Sequence, residues 1–198
     1  MRRLLLSVFI ALISLSHILA QQSLSVSANA IGISDTEAGR FYYANRNEPP
    51  RAVEFKTQTV TASSFLAKIN QYLNIPAEFS FVETESNTDH LGMRHRLLQQ
   101  YYKGLPLEGM LYRVHEKDGF VTSANGKALR DIKLDMQVSL SEEQAFHLAV
   151  QYLQSKDSIF RSGKKLIVSK NFRFTPESFV IAYQFDIDVS FIAQWRIS

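Results

Sequence analysis

Few residues in this chain have the type and spacing to do chemistry. His115-Glu116-Lys117-Asp118-Gly119 opens like the zinc-binding HExxH pattern, which needs a second histidine four positions on so that one helix face presents both imidazoles. Gly119 stands at that position, behind Asp118 in a pair that signals a tight turn. The spacing argues against a zinc hydrolase site, and His115 reads as a strand histidine beside a turn. His90 and His95, with Asp89 nearby, are metal ligands by type, but their separation fits no standard ligand spacing. His95 with Gln99 and Gln100 reads instead as polar support within a sheet. Asp186 and Asp188 would project from one face of a strand roughly 7 Å apart. Paired carboxylates work as acid and base only in a cleft that shifts one of them, and on an alternating strand they read as the solvated face. With no phosphate loop, nucleophile elbow or Cys/His pair in the sequence, no catalytic, cofactor-binding or metal-binding residue is assigned.

Composition narrows the class. The chain has 198 residues, enough for one or two domains, with 45% hydrophobic and 21% charged side chains, an ordinary globular balance. It has no cysteine, so disulfides and thiolate zinc sites are excluded. The net charge of +3 includes Arg2 and Arg3; without residues 1–20, which hold no acidic side chain, 20 basic groups face 19 acidic ones. A net +1 gives no support to nucleic-acid binding. Residues 1–20 combine Arg2-Arg3, an apolar run from Leu4 to Leu15 and small residues ending at Ala20. This is the pattern of a secretory signal peptide, an uncleaved membrane anchor being the alternative. The mature chain is then expected to be secreted or periplasmic, with no membrane association after cleavage.

The elements that would position these residues follow from periodicity. Residues 21–49 read as a flexible lead-in, in which Phe41-Tyr42-Tyr43 is a candidate strand start, closed by the Pro49-Pro50 connector; Ala52–Phe55 is a short strand. Residues 61–74 form a helix with Phe65, Leu66, Ile69, Tyr72 and Leu73 on one face, stopped by Pro76. Glu78–Glu83 is a strand and Thr84–His90 a polar loop. From Gly92 to Lys127 the pattern gives three consecutive strands, with turns at Lys103-Gly104-Leu105-Pro106 and at Asp118-Gly119. The helix should cover this meander, an α+β arrangement with an antiparallel sheet.

The meander carries a resemblance. His95-Arg96-Leu97-Leu98-Gln99-Gln100, then Gly104-Leu105-Pro106-Leu107-Glu108-Gly109, then Val114-His115 and Asn125-Gly126 resemble the FTP domain in the pro-regions of secreted thermolysin-like and fungalysin-like zinc metalloproteases. The correspondence runs in register over about thirty residues, and the order of elements extends it from about residue 50 to 127. One position departs: the family usually places Arg two residues after the histidine, where Leu97 stands here beside Arg96. The motif residues that the resemblance singles out, as structural or protease-contacting, are His95, Gln99, Gln100, Gly104, Pro106, Gly109, His115 and Gly126.

A second, smaller helix-plus-antiparallel-sheet unit is expected over residues 131–198. Ser141-Glu142-Glu143-Gln144 has capping-box spacing, followed by an apolar stripe of Ala145, Leu148, Ala149, Tyr152 and Leu153. Lys165–Lys170 is a strand, Thr175–Ser178 a turn, and Phe179–Val189 a strand with Tyr183, Phe185, Ile187 and Val189 alternating against polar residues. The helix start, the aromatic strand and Trp195-Arg196 resemble the PepSY domain that follows the FTP unit in the same pro-regions, here ending inside its last strand.

The resemblance implies a non-catalytic pro-region acting as intramolecular chaperone and inhibitor of a zinc metalloendopeptidase domain missing from this chain. Zinc and calcium would belong only to that domain, which is the implied partner. Two other readings stay open: a self-standing exported FTP/PepSY binding module, and the leader portion of a precursor whose peptidase activity lies elsewhere.

Overall fold

The computed structural model describes residues 7–10, 32–35, 39–153, 160, 162–172 and 174–187. Its strands, in chain order, are β1 (Ser7–Ile10), β2 (Gly32–Asp35), β3 (Gly39–Tyr43) and β4 (Ala52–Phe55). Two short helices follow, α1 (Ala62–Ala67) and α2 (Ile69–Tyr72), then β5 (Phe79–Thr88), β6 (Met93–Tyr102), β7 (Leu105–Lys117) and β8 (Phe120–Gly126). The remaining elements are α3 (Glu142–Leu153), β9 (Lys164–Ser169) and β10 (Phe179–Asp186). The architecture is mostly sheet with few helices, and the chain divides into two compact units, 16–132 and 1–15 with 133–198.

The larger unit is an open antiparallel sheet in the order β2-β3-β4-β8-β7-β6-β5. Residues directly opposite on neighbouring strands share a face, which sorts the side chains. Phe41, Val53, Ala124 and Val114 form one row across β3, β4, β8 and β7, all buried. Arg40, Glu54, Ser123, His115, His95 and Asn87 form the adjacent row on the other face. The helices cover the first face: Phe65, Ile69 and Leu73 are buried, and Phe55 of β4 meets Phe65 and Tyr72 edge-on at 5.6 and 5.4 Å. Thr61 caps α1 by accepting the Ser64 amide at 3.2 Å. The expected helix over 61–74 is interrupted at Lys68 (φ −119°, ψ 18°), and Asn74 turns left-handed (φ 53°) ahead of Pro76.

Both turns are two-residue hairpins with left-handed central pairs, Lys103-Gly104 (φ 46°, 83°) and Asp118-Gly119 (φ 52°, 82°). Pro106 therefore belongs to β7, opposite Tyr101, and not to the turn. Two other differences concern length. The segment expected as a loop, Thr84–His90, is largely strand, because β5 continues to Thr88 past a bulge at Glu83/Glu85. Within the expected lead-in, β2 and β3 extend the sheet beyond β4, since Gly39–Tyr42 pair with Ala52–Phe55.

In the other unit, β1, β10 and β9 form an antiparallel sheet. Four residues of the expected leader, Ser7–Ile10, pair with Tyr183–Asp186. The capping box closes reciprocally: the Gln144 amide donates to Ser141 Oγ at 3.1 Å, and the Ser141 amide donates to Gln144 Oε1 at 2.9 Å. The buried stripe of α3 is Ala145, Phe146 and Ala149, with Val150 and Leu153 packed beside it. Leu148 and Tyr152, expected inward, are 42% and 80% exposed. The helix is turned so that the Phe146 ring meets Phe185 edge-on at 5.4 Å, burying more apolar area than Leu148 would. Phe185 and Ile187 face this cluster, whereas Ala182 and Val180 join Leu166 and Val168 in a second cluster. Asp188, Val189 and Trp195-Arg196 lie outside the described residues.

Candidate functional site

The motif residues gather around the β6–β7 hairpin, where four residues of β7, Leu107–Met110, stand opposite the single residue Gln100. Such a bulge breaks the ladder and leaves carbonyls without strand partners. Gln99 supplies them: its Nε2 donates to the carbonyls of Gln100, Leu107 and Met110 at 3.0, 2.6 and 3.1 Å. Gly109 sits in the bulge at φ 75°, a conformation that costs any residue with a Cβ.

Gln100 points the opposite way and is fully buried. Its Nε2 donates to the Leu129 carbonyl at 2.7 Å, and its Oε1 accepts the Leu129 amide at 2.9 Å. One side-chain amide thus replaces a strand partner for a residue beyond the meander. Tyr112, also buried, donates its hydroxyl to the Pro50 carbonyl at 2.9 Å, and burial raises its phenol far above the ordinary range. Gly104 lies in the hairpin turn and Gly126 closes β8.

Toward the other end of the hairpin the sheet becomes polar on both faces. On the open face His95 and His115 are cross-strand partners with their Nδ1 atoms 2.6 Å apart. The Nε2 of His95 lies 3.1 Å from Asp89 Oδ2, and that of His115 lies 3.0 Å from Asn125 Oδ1. On the helix-covered face Arg96 Nε and Nη2 donate to the two oxygens of Glu116 at 2.9 and 3.3 Å, and Nη1 to Glu83 at 2.7 Å. The departure at 96–97 now has a structural meaning. Period two puts the guanidinium of Arg96 on the face opposite His95, against Glu116, and leaves Leu97 beside the histidines.

The structure thus brings together His95 and His115, which sequence reasoning had kept apart, and adds Asn125 and Asp89 to them. His90 is exposed in the turn at residues 89–92 and stands outside the cluster. His115 and Glu116 face opposite sides of a strand, so no zinc helix forms there. Among the described residues no three His, Cys, Asp or Glu side chains converge on a point where a metal ion could sit. Asp186, on β10, is exposed.

Asp89 also organises the β5–β6 turn, its Oδ1 accepting the amides of Leu91 and Met93 at 2.9 Å each. The Met93 amide first, and then His95, hold its carboxyl below the usual range. A depressed carboxylate contributes stability that is present above its unfolded value near 3.9 and is lost as pH falls through the folded value. The Leu91 and Met93 amides are therefore expected to lose hydrogen-exchange protection only below about pH 4. In Asp89→Asn that acid transition should vanish; if it persists, another carboxylate closes the turn.

The turns, the bulge, the glutamine pair and the histidine pair all fall within the four strands β5 to β8. Residues 79–128, which span those strands, match the fungalysin/thermolysin propeptide motif (FTP).

Proposed function

We propose that this chain is a non-catalytic pro-region of a secreted zinc metalloendopeptidase of the thermolysin or fungalysin type. In this reading it assists folding of the protease domain and occupies its cleft until it is cut away. The observation that carries the reading is the FTP match over residues 79–128, a motif of propeptides and not of catalytic domains. The disposition of the motif agrees with it. Gln99, Gln100 and Tyr112 bond to the chain's own backbone, so these groups build a shape and are not left over for a substrate. The open face of β5 to β8 carries the side chains available to another body, with Val82 and Leu111 46% and 38% exposed on the same face as the histidine row.

Two further parts belong to the same proposal. Residues 1–20 act as a signal peptide, and the α3–β9–β10 unit is a PepSY-like companion. No helix among the described residues is long and apolar enough to cross a membrane. A pro-region assists by binding the native-like protease better than misfolded forms, which shifts the folding equilibrium by mass action. Tethering strengthens this through effective concentration and makes release follow from cleavage.

The test mixes residues 21–198 with the unfolded zinc endopeptidase domain from the same source. The expected result is a higher yield of active protease on refolding, followed by inhibition of the refolded enzyme. Residues 21–198 alone should not cleave casein with added zinc. Chelator-sensitive cleavage by the pure fragment would overturn the reading, and so would the absence of any effect on refolding or activity.

A further inference from the structure

We infer that His95 and His115 form a proton-operated contact across β6 and β7, closed while the pair holds at most one extra proton and opened by the second. The inference goes beyond the pro-region reading and does not depend on it. It rests on a census of four ring nitrogens. His95 Nε2 faces the Asp89 carboxylate, an acceptor, and so carries a hydrogen. His115 Nε2 faces Asn125 Oδ1, or Nδ2 if that amide is turned over. Between the two Nδ1 atoms, at 2.6 Å, there is room for one hydrogen and not for two.

Every proton count but the highest can be satisfied. In the neutral pair His115 Nδ1–H donates to His95 Nδ1 while the Asn125 amide donates to His115 Nε2. With one extra proton both Nε2 atoms donate outward and a single hydrogen is shared at the centre. A second extra proton puts two N–H groups head to head between two imidazolium rings whose centroids are 4.9 Å apart. The contact must then break.

The surroundings do not compensate that second charge. Among the described residues Asp89 is the one carboxylate in contact with the pair. On β7 Arg113 and Lys117 flank His115, the Lys117 ammonium donating to the Leu91 carbonyl. On β8 the neighbours are Ser123 and Asn125, on β6 Met93 and Leu97, and on β5 Asn87 and then Glu85, which stands opposite Leu97 in the same row as Arg113. Glu54 and Arg40 lie further along the same row, with Glu54 accepting from Tyr42. Arg94, Arg96, Glu83 and Glu116 belong to the other face, as do α1 and α2. The closed contact holds one extra proton and the open form can hold two, so the open form binds more protons and acid favours opening.

The test uses the full chain with 15N-labelled histidine, comparing pH 7.5 with pH 5.0. The expected result is that both Nδ1 atoms become protonated at pH 5.0 while the amides of residues 94–97 and 113–116 exchange about tenfold faster after correction for intrinsic rate. His115→Gln and His95→Gln, which cannot titrate, should lose that acceleration. Full protonation with undiminished protection would overturn the inference even if neither variant folds. It would also be overturned if both variants kept the wild-type pH dependence, or if zinc at pH 7.5 protected the same amides in the wild type alone, since the shared cation would then be a metal.

Discussion

Replacing Gln100 with leucine is expected to destabilise the meander unit by about 2–4 kcal/mol, although the two side chains are similar in size. The cost lies in what the amide leaves behind. Both polar groups of Leu129 find their partner in this one side chain, at 2.7 and 2.9 Å, and Gln100 is fully buried. A leucine there satisfies neither group, and an unmet donor and acceptor each carry a desolvation penalty larger than an ordinary hydrogen bond contributes. Gln100→Glu should be no better, because it keeps an acceptor for the Leu129 amide but loses the donor for its carbonyl and buries a charge. Urea unfolding gives the magnitude, and the exchange rate of the Leu129 amide gives the location. A loss below about 0.5 kcal/mol, or a change spread over the sheet with Leu129 still protected, would show that the clamp is not what holds the strand exit.

How much of this was legible in the sequence depends on distance along the chain. The turns at Lys103-Gly104 and Asp118-Gly119 are local, and the residues that signal them are the ones that adopt φ 46° and 83°, and φ 52° and 82°. The capping box at Ser141 is equally local and forms as spaced. The histidine pair was not legible, for a definite reason. Counted outward from the first turn, where Tyr102 pairs with Leu105, His95 would stand opposite Tyr112; the three extra residues of the bulge bring His115 there instead. An odd shift of register also exchanges the faces of the strand. Gly109 was the one sequence signal of that bulge, and a lone glycine in a strand does not state how many residues it displaces. The same limit hid the rotation of α3, because Phe146 and Leu148 both fit a helical stripe and the choice between them was made by Phe185, about forty residues away in the chain.

The motif thus describes an architecture more than a site. Its glycines and glutamines determine where β7 bulges, which way the β6 side chains face, and how the chain leaves the sheet. Its histidines stand at the end of the hairpin that the bulge re-registers. In the pro-region reading proposed above, a surface for another folded protein needs a fixed shape before it needs reactive groups, and fixing a shape is what these side chains do.

Gly126→Ala should be the most damaging single-methyl change in the meander, at about 3–5 kcal/mol. A Cβ on Gly126 would lie 2.2 Å from the Leu111 carbonyl oxygen and 2.6 Å from Tyr112 Cα. Both are backbone atoms of β7, so no rotamer relieves the clash and the strands must part. The parting strikes a junction. The Gly126 amide donates to the Arg51 carbonyl at 2.9 Å, and the Lys127 amide to the Leu111 carbonyl at 2.8 Å. The buried Tyr112 hydroxyl holds the Pro50 carbonyl from the same place. Loss of two or three such bonds adds to the strain and separates β4 and β8 from β7. Gly104→Ala is the control, since nothing lies within 4 Å of its Cβ and only the left-handed backbone (φ +83°) resists the substitution. It should cost roughly 1–2 kcal/mol. Denaturant midpoints of the two variants decide the matter: if Gly126→Ala proves no worse than Gly104→Ala, the approach of β8 to β7 is looser than these distances, and the junction is not what sets the sheet.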